Sequence, residues 1–172
     1  HHPNYQLSHG FARTSMWHEK SVKTADDNKI TIILALNSNE LSQQYQYDDF
    51  TIKLIIELSD ELNINFVFEN HSNDVLECEW ALHSYFAIDN VDNISVEGLS
   101  GQHYLDKTKD NSLGVLQDQQ RFAGEVDRAF VTAAQTQQIN STMPIIISGD
   151  NCPSAIVWNP GKELASQMAD VC

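Results

Sequence analysis

One histidine, His83, combines a side chain that can transfer protons with a position that the sequence defines. It lies in the run from Leu76 to Phe86, where apolar residues recur at every second position and predict a strand. The core face of that strand would hold Leu76, Cys78, Trp80, Leu82 and Phe86. His83 and Tyr85 would lie on the polar face, and an imidazole can donate or accept a proton near neutral pH. His83 is therefore either a surface histidine or part of a ligand site on an open sheet face.

The other histidines and the cysteines do not indicate a metal site. His18, His71 and His103 have no spacing with Cys or Asp that is typical of metal ligands. The three cysteines, at positions 78, 152 and 172, form no C-x-x-C pair and are odd in number, so reduced thiols are expected. We predict no metal and no cofactor.

The charge balance excludes one class of partner. Lys and Arg number 10 against 24 Asp and Glu, which gives a net charge of −14. Nucleic-acid binding depends on basic side chains, so such a role is not expected. The sequence contains no apolar run of the roughly 20 residues that a membrane span needs and no secretory signal. We predict a cytoplasmic protein without membrane contact.

The elements that must position these residues are mostly strands. The run 50–58 alternates apolar and polar residues, and the run 62–68 does the same after a short Ser59-Asp60 connection, which predicts an antiparallel hairpin. Other predicted strands are 17–22, 30–36, 75–88, 94–97, 126–132, 144–148 and 155–158, with one short helix at about 162–169. The prediction is an all-β, antiparallel β-sandwich that forms a single domain over residues 1–172.

Several short strings recur in an order that resembles a known family. They are Ser8-His-Gly-Phe-Ala-Arg13, Ala81-Leu-His-Ser-Tyr-Phe86, Val96-Glu-Gly-Leu99, Tyr104-Leu-Asp-Lys107, Glu125-Val-Asp-Arg128, Ile156-Val-Trp-Asn-Pro160 and Met168-Ala-Asp170. From about residue 3 to residue 170, the chain resembles the hexose-6-phosphate mutarotases, or glucose-6-phosphate 1-epimerases, of the aldose 1-epimerase superfamily. The resemblance implies a β-supersandwich, here a shortened version, with a site on a concave sheet face.

The resemblance also implies roles for four residues. His83 would be the acid that protonates the ring oxygen of the sugar, and Arg13 would contact the substrate phosphate. His9 would line the sugar site, and Asp127 would accept hydrogen bonds from sugar hydroxyls. Trp158 carries no implied role, and its Trp-Asn-Pro string is interpreted as packing and turn chemistry.

Mutarotation needs an acid and a base but no metal or redox cofactor. In the family, the base is a glutamate on a C-terminal strand, and a second phosphate-binding arginine lies on N-terminal strands. Neither segment is among the 172 residues, so the resemblance implies a chain shortened at both ends.

Two functions remain open. The first is an isomerase that interconverts the anomers of a hexose 6-phosphate. The second is a non-catalytic module that binds sugar phosphates or proteins and keeps the sandwich without the base. Removing outer strands leaves unpaired backbone groups at sheet edges, and we therefore expect a homodimer.

Overall fold

The fold is known from a computed structural model that describes residues 9–25 and 28–168. Ser8 of the first string, Asp170 of the last, Cys172, and His1 and His2 lie outside the described residues. The chain divides into two compact units, residues 1–82 and 83–172. The single-domain interpretation stays a prediction, and the two units are described separately.

The first unit contains a four-stranded antiparallel sheet. Its strands are β1 (His18–Thr24), β2 (Ile30–Asn37), β3 (Phe50–Leu58) and β4 (Leu62–Asn70), in the spatial order β1-β2-β3-β4. Leu58 pairs with Leu62 across the connection, so the predicted hairpin is present. Between β2 and β3, helix α1 (Glu40–Gln44) begins with a capping box in which Asn39 and Ser42 satisfy each other's backbone N–H groups.

The core of the first unit lies at one end of this sheet. Leu36, Phe50 and Ile52 are buried, and aromatic residues that include Phe66 and Phe68 pack against them. Burial decreases along the hairpin because the same apolar alternation continues beyond the packed region. Leu58, Leu62 and Ile64, near the hairpin turn, are exposed.

The predicted strand 75–88 is wrong. This segment has no regular secondary structure, although Leu76 packs against the first unit's core and Trp80 stacks on Phe66 with ring centroids 4.8 Å apart. The predicted core residues Trp80 and Leu82 are 42% and 47% exposed, and Cys78 and Phe86 are also exposed. A strand forms when a neighbouring backbone pairs with it, and within the described residues no strand pairs with this segment.

The second unit contains two four-stranded antiparallel sheets. One has the order β11-β10-β5-β8, formed by β5 (Ser95–Glu97), β8 (Gln120–Arg121), β10 (Thr136–Asn140) and β11 (Ile145–Ser148). The other has the order β12-β9-β6-β7, formed by β6 (His103–Asp106), β7 (Ser112–Val115), β9 (Val126–Phe130) and β12 (Ala155–Asn159). Helix α2 (Gly161–Ala165) follows β12 and is shorter than predicted.

The second unit's core combines residues from both of its sheets. Val96 of β5 and Ile139 of β10 are buried in one cluster with Phe130 of β9, together with Leu99 and Leu116. The unit is thus a sandwich, and the predicted all-β antiparallel class is confirmed. Among the described residues, no helix is both long enough and apolar enough to cross a bilayer.

Candidate functional site

The two predicted site residues of the first unit lie on one turn. His9 and Gly10 both have left-handed backbone angles, with φ of 65° and 68°, which reverse the chain immediately before Phe11. The amides of Thr14 and Ser15 then both donate to the Phe11 carbonyl, at 3.1 Å each. Arg13 lies inside this turn with its side chain exposed. The turn therefore presents a guanidinium to solvent, where an anion could reach it.

Aromatic packing holds that turn in place. The Phe11 ring lies 5.7 Å from that of Tyr47 and 5.9 Å from that of Phe50, centroid to centroid, and Phe50 is buried. The indole Nε1 of Trp17 donates to the Ala12 carbonyl at 2.8 Å. The apolar residues of the first motif thus anchor the loop, and the polar residues are left on its surface.

His83 is the first residue of the second unit, and its side chain is exposed. The polar face of a strand does not display it, because residues 75–88 form no strand. Its neighbour Tyr85 is 70% exposed. The interpretation of an ordered sheet floor beneath a ligand is therefore wrong for His83, although its exposure allows proton exchange with a bound molecule.

Asp127 occupies the middle of a sheet and has an unusual environment. It lies on β9, with its side chain 26% exposed, and its Oδ1 is buried without a hydrogen-bond partner among the described residues. The nearest cation is the Nζ of Lys107, 3.7 Å from Oδ1, which is too long for a direct hydrogen bond. A buried acceptor without a donor costs about 1–3 kcal/mol, so this carboxylate is short of one donor.

The neighbouring residue of the same motif has a different role. Arg128 points to the opposite face of the sheet, where its Nη1 donates to Gln120 Oε1 at 2.8 Å and its Cζ lies 4.3 Å from the centroid of the Tyr104 ring. Its Nε lies 3.6 Å from Asp106 Oδ2. These contacts make Arg128 a structural residue.

A charged cavity opens on that opposite face. It has a volume of about 280 Å³ and is lined by Asp106, Thr108, Lys109, Arg121, Ala123, Glu125, Val126 and Arg128. A hydrogen bond from the Thr108 hydroxyl, followed by the charges of Lys109 and Arg128, lowers the pKa of Asp106. Asp127 does not line this cavity, so the predicted sugar site and the cavity are separate.

Sequence reasoning missed two neighbours of Asp127. The register of β9 and β12 places Trp158 directly opposite Asp127, and Lys107 follows the last residue of β6. Alternation along 155–158 could have assigned Trp158 to a face, but only the strand pairing shows which residue it adjoins. The described residues contain no group of three or more His, Cys, Asp or Glu side chains that could hold a metal ion, and the metal-free expectation stays a prediction.

Comparison with known proteins defines the class. The family model described as "Aldose 1-epimerase" matches residues 2–172 of the chain. The chain therefore belongs to the aldose 1-epimerase family, and the resemblance of its motifs is confirmed.

Individual relatives refine this assignment. A Salmonella typhimurium protein named "Putative glucose-6-phosphate 1-epimerase" is 30% identical over 170 residues, which are 95% of this chain and 55% of the relative. A protein of the same name from Escherichia coli is 29% identical, again over 95% of this chain and 55% of its own length. The crystal structure of "a putative mutarotase (YeaD)" from Salmonella typhimurium matches with a TM-score of 0.85 and 28% identity, over 100% of this chain and 58% of that one. The chain spans about half the length of the curated relatives that it matches.

Proposed function

We propose that this protein binds a hexose 6-phosphate and interconverts its α and β anomers. The observation that carries the proposal is the buried Oδ1 of Asp127, which no donor among the described residues satisfies. A sugar hydroxyl would supply the missing hydrogen bond. Membership in the aldose 1-epimerase family and the names of the relatives support this substrate class.

The proposed chemistry assigns one step to each residue. His83 donates a proton to the ring oxygen while a base removes the proton of the anomeric hydroxyl, so the ring opens to the aldehyde and recloses on either face. Arg13 binds the 6-phosphate through its planar guanidinium, which matches two phosphate oxygens. His9 and Asp127 hold sugar hydroxyls. The base that the resemblance implies, a C-terminal glutamate, is not among these 172 residues.

That missing base favours a second candidate function. General base catalysis contributes about 10²–10⁴-fold, so a chain without the base would bind the sugar and turn it over slowly. Such a chain would act as a sugar-phosphate-binding module. The two functions differ in exchange rate rather than in ligand.

The decisive experiment follows anomer exchange of glucose 6-phosphate by NMR saturation transfer with the 172-residue chain. The isomerase predicts exchange above the spontaneous rate that His83→Ala abolishes and His18→Ala, at an exposed histidine of β1, retains. Binding without accelerated exchange identifies the binding module. Accelerated exchange that survives His83→Ala excludes the proposed acid.

The phosphate assignment has its own test. Arg13→Ala should weaken binding of glucose 6-phosphate about 10–100-fold, the equivalent of a charged hydrogen bond, and leave glucose binding unchanged. Lys20→Ala removes an exposed cation of β1 and serves as the control. Equal losses for both sugars would contradict a phosphate contact at Arg13.

We also propose that the protein is a cytoplasmic homodimer. The exposed apolar residues near the β3–β4 turn, Leu58, Leu62 and Ile64, support a self-association surface. Light scattering should give twice the chain mass of 19.4 kDa at micromolar concentration. A single species of the chain mass would contradict the dimer.

A further inference from the structure

The face of the second unit's sheet that carries Asp127 combines apolar and charged residues. Strand register assigns the following residues to it, and we call them the Asp127 face: Leu105, Leu113, Asp127, Ala129, Ile156 and Trp158. Leu113 is 69% exposed, Ile156 58% and Trp158 36%. Large apolar side chains therefore remain accessible around the one carboxylate of this face.

Trp158 is the immediate neighbour of that carboxylate. Residues directly opposite each other in an antiparallel pair have Cβ atoms about 4.5–5.5 Å apart, so the indole and the Asp127 carboxylate rise side by side from the sheet. Within the part of the chain that the structure describes, Trp158 makes no hydrogen bond and no ring contact. Its ring is thus available on the surface next to an acceptor that lacks a donor.

Lys107 completes the cluster on its other side. Its Nζ is 3.7 Å from Asp127 Oδ1, and its side chain is 44% exposed. Because this separation is too long for a direct hydrogen bond, a hydroxyl could donate to the carboxylate and accept from the ammonium at the same time. An aromatic plane beside an acid and a base of this kind matches a pyranose, which has an apolar C–H face and a hydroxyl-bearing edge.

We propose that Trp158 is the platform on which the pyranose ring of the substrate lies, with Asp127 and Lys107 binding the hydroxyls along one edge. This inference rests on the proposed function, since it specifies how the same site recognises its sugar. The group recognised here is the neutral ring and not the phosphate. It also corrects the interpretation of the Trp158 string as packing alone.

A second protein copy is the competing occupant of the Asp127 face. Covering the face with apolar protein surface would take the Lys107 and Asp127 charges out of water without new partners, and such burial is costly. A sugar hydroxyl offers both charges a hydrogen bond. The charged pair within the apolar face therefore favours the sugar over the copy.

The first test monitors the indole directly. The chain has three tryptophans, and the indole N–H peak of Trp158 in a ¹H–¹⁵N spectrum is identified by its loss in Trp158→Phe. Methyl β-D-glucopyranoside, which cannot mutarotate, and glucose 6-phosphate should both shift this peak to saturation. The peaks of Trp17 and Trp80, both in the first unit, are internal controls, and inorganic phosphate should leave the Trp158 peak unmoved.

The second test measures affinity for the same glucoside in matched variants. Trp158→Ala should weaken binding about tenfold, the expected effect of losing one aromatic contact, and Trp158→Phe should restore most of it. Ile156→Ala, on the same strand and face, should bind as the parent does. Unfolding curves confirm that each variant is folded.

Each outcome bears on a different statement. Unchanged sugar affinity in Trp158→Ala, with glucoside binding intact, overturns the platform and leaves the proposed function standing. If the parent chain binds neither sugar, the proposed function and the platform both fail. A Trp158 peak that shifts with protein concentration and not with sugar shows that a second copy covers the Asp127 face, which also overturns the platform.

Discussion

Two aspartates in the second unit, Asp106 at the end of β6 and Asp127 in β9, lie on opposite faces of one sheet and have contrasting environments. Asp106 is buried, and its Oδ1 accepts hydrogen bonds from the Thr108 hydroxyl at 2.6 Å and the Thr108 amide at 3.2 Å. Its Oδ2 lies 3.5 Å from Lys109 Nζ and 3.6 Å from Arg128 Nε. Every oxygen of Asp106 therefore has a partner within the unit.

Asp127 has one distant cation and a buried oxygen without a donor among the described residues. Folding alone does not account for a carboxylate that is buried and left unsatisfied, because replacing it with an apolar residue would remove the desolvation cost. A fully satisfied carboxylate is expected to stabilise the fold, and an unsatisfied one is expected to act on a ligand. The predictions that follow separate the two roles.

The largest expected effect is on stability at Asp106. Asp106→Ala removes two hydrogen bonds and leaves Arg128 without its carboxylate, so we expect the free energy of unfolding to fall by about 2–3 kcal/mol. Urea unfolding followed by circular dichroism measures it. Asp118→Ala, at an exposed aspartate without printed partners in the described part of the chain, should change it by less than about 0.5 kcal/mol. Similar losses in both variants would contradict the structural role of Asp106.

Acid should reveal the same carboxylate. The Thr108 hydrogen bond, with the charges of Lys109 and Arg128, holds the pKa of Asp106 below its ordinary value. Its contribution to stability is therefore complete above about pH 3.9, the value for an unfolded aspartate, and is lost as the pH falls through the lower folded-state value. Urea midpoints measured from pH 6 to pH 2 should fall more steeply for the parent than for Asp106→Asn. Parallel curves would exclude a lowered pKa at this residue.

A smaller effect is expected from the stack beneath Arg128. A Cβ added at Gly114 would lie 2.6 Å from Cζ of Tyr104, so Gly114→Ala must displace the ring that Arg128 covers. We expect a loss of about 1–2 kcal/mol, because the ring can move but the packing around it cannot fully follow. In a Tyr104→Leu background the same substitution should cost less, and urea unfolding of the four proteins gives the coupling. An equal cost in both backgrounds would mean that Tyr104 is not the obstacle.

Sequence patterns predicted the strands that bury one apolar side. In β2, β3 and β4 the alternation sets one face against a core, and the predicted and observed bounds differ by at most two residues. The pattern failed for β10, Thr136–Asn140, whose one buried apolar residue is Ile139. That strand forms because β5 and β11 pair with its backbone on both sides, which alternation cannot show. Residues 75–88 failed in the opposite way, with alternation but no pairing strand among the described residues.

The candidate site was predictable only in part, for the same reason. Asp127 came from a motif, and the alternation within that motif separates it from Arg128 on the other face. Trp158 is 31 positions further along the chain, and its position beside Asp127 depends on the register of β9 with β12. Lys107 comes close to Asp127 because β6 pairs with β9 and the chain continues past Asp106. Long-range register, and not local pattern, assembled this cluster.

The smallest expected change in stability is at Asp127, and it carries most of the comparison. Asp127→Ala loses a weak, partly exposed ion pair with Lys107, worth about 0.2–1 kcal/mol, and relieves a buried oxygen that lacks a donor. The two effects oppose each other, so the free energy of unfolding should change by less than about 0.5 kcal/mol. The same variant should lose binding of glucose 6-phosphate and of methyl β-D-glucopyranoside, because both use the carboxylate as an acceptor. Urea unfolding under the conditions used for Asp106→Ala, together with NMR titration of both sugars, measures the two quantities on one sample. A loss of stability as large as that of Asp106→Ala would make Asp127 a structural residue, and the proposed sugar contact would then lose the observation that supports it.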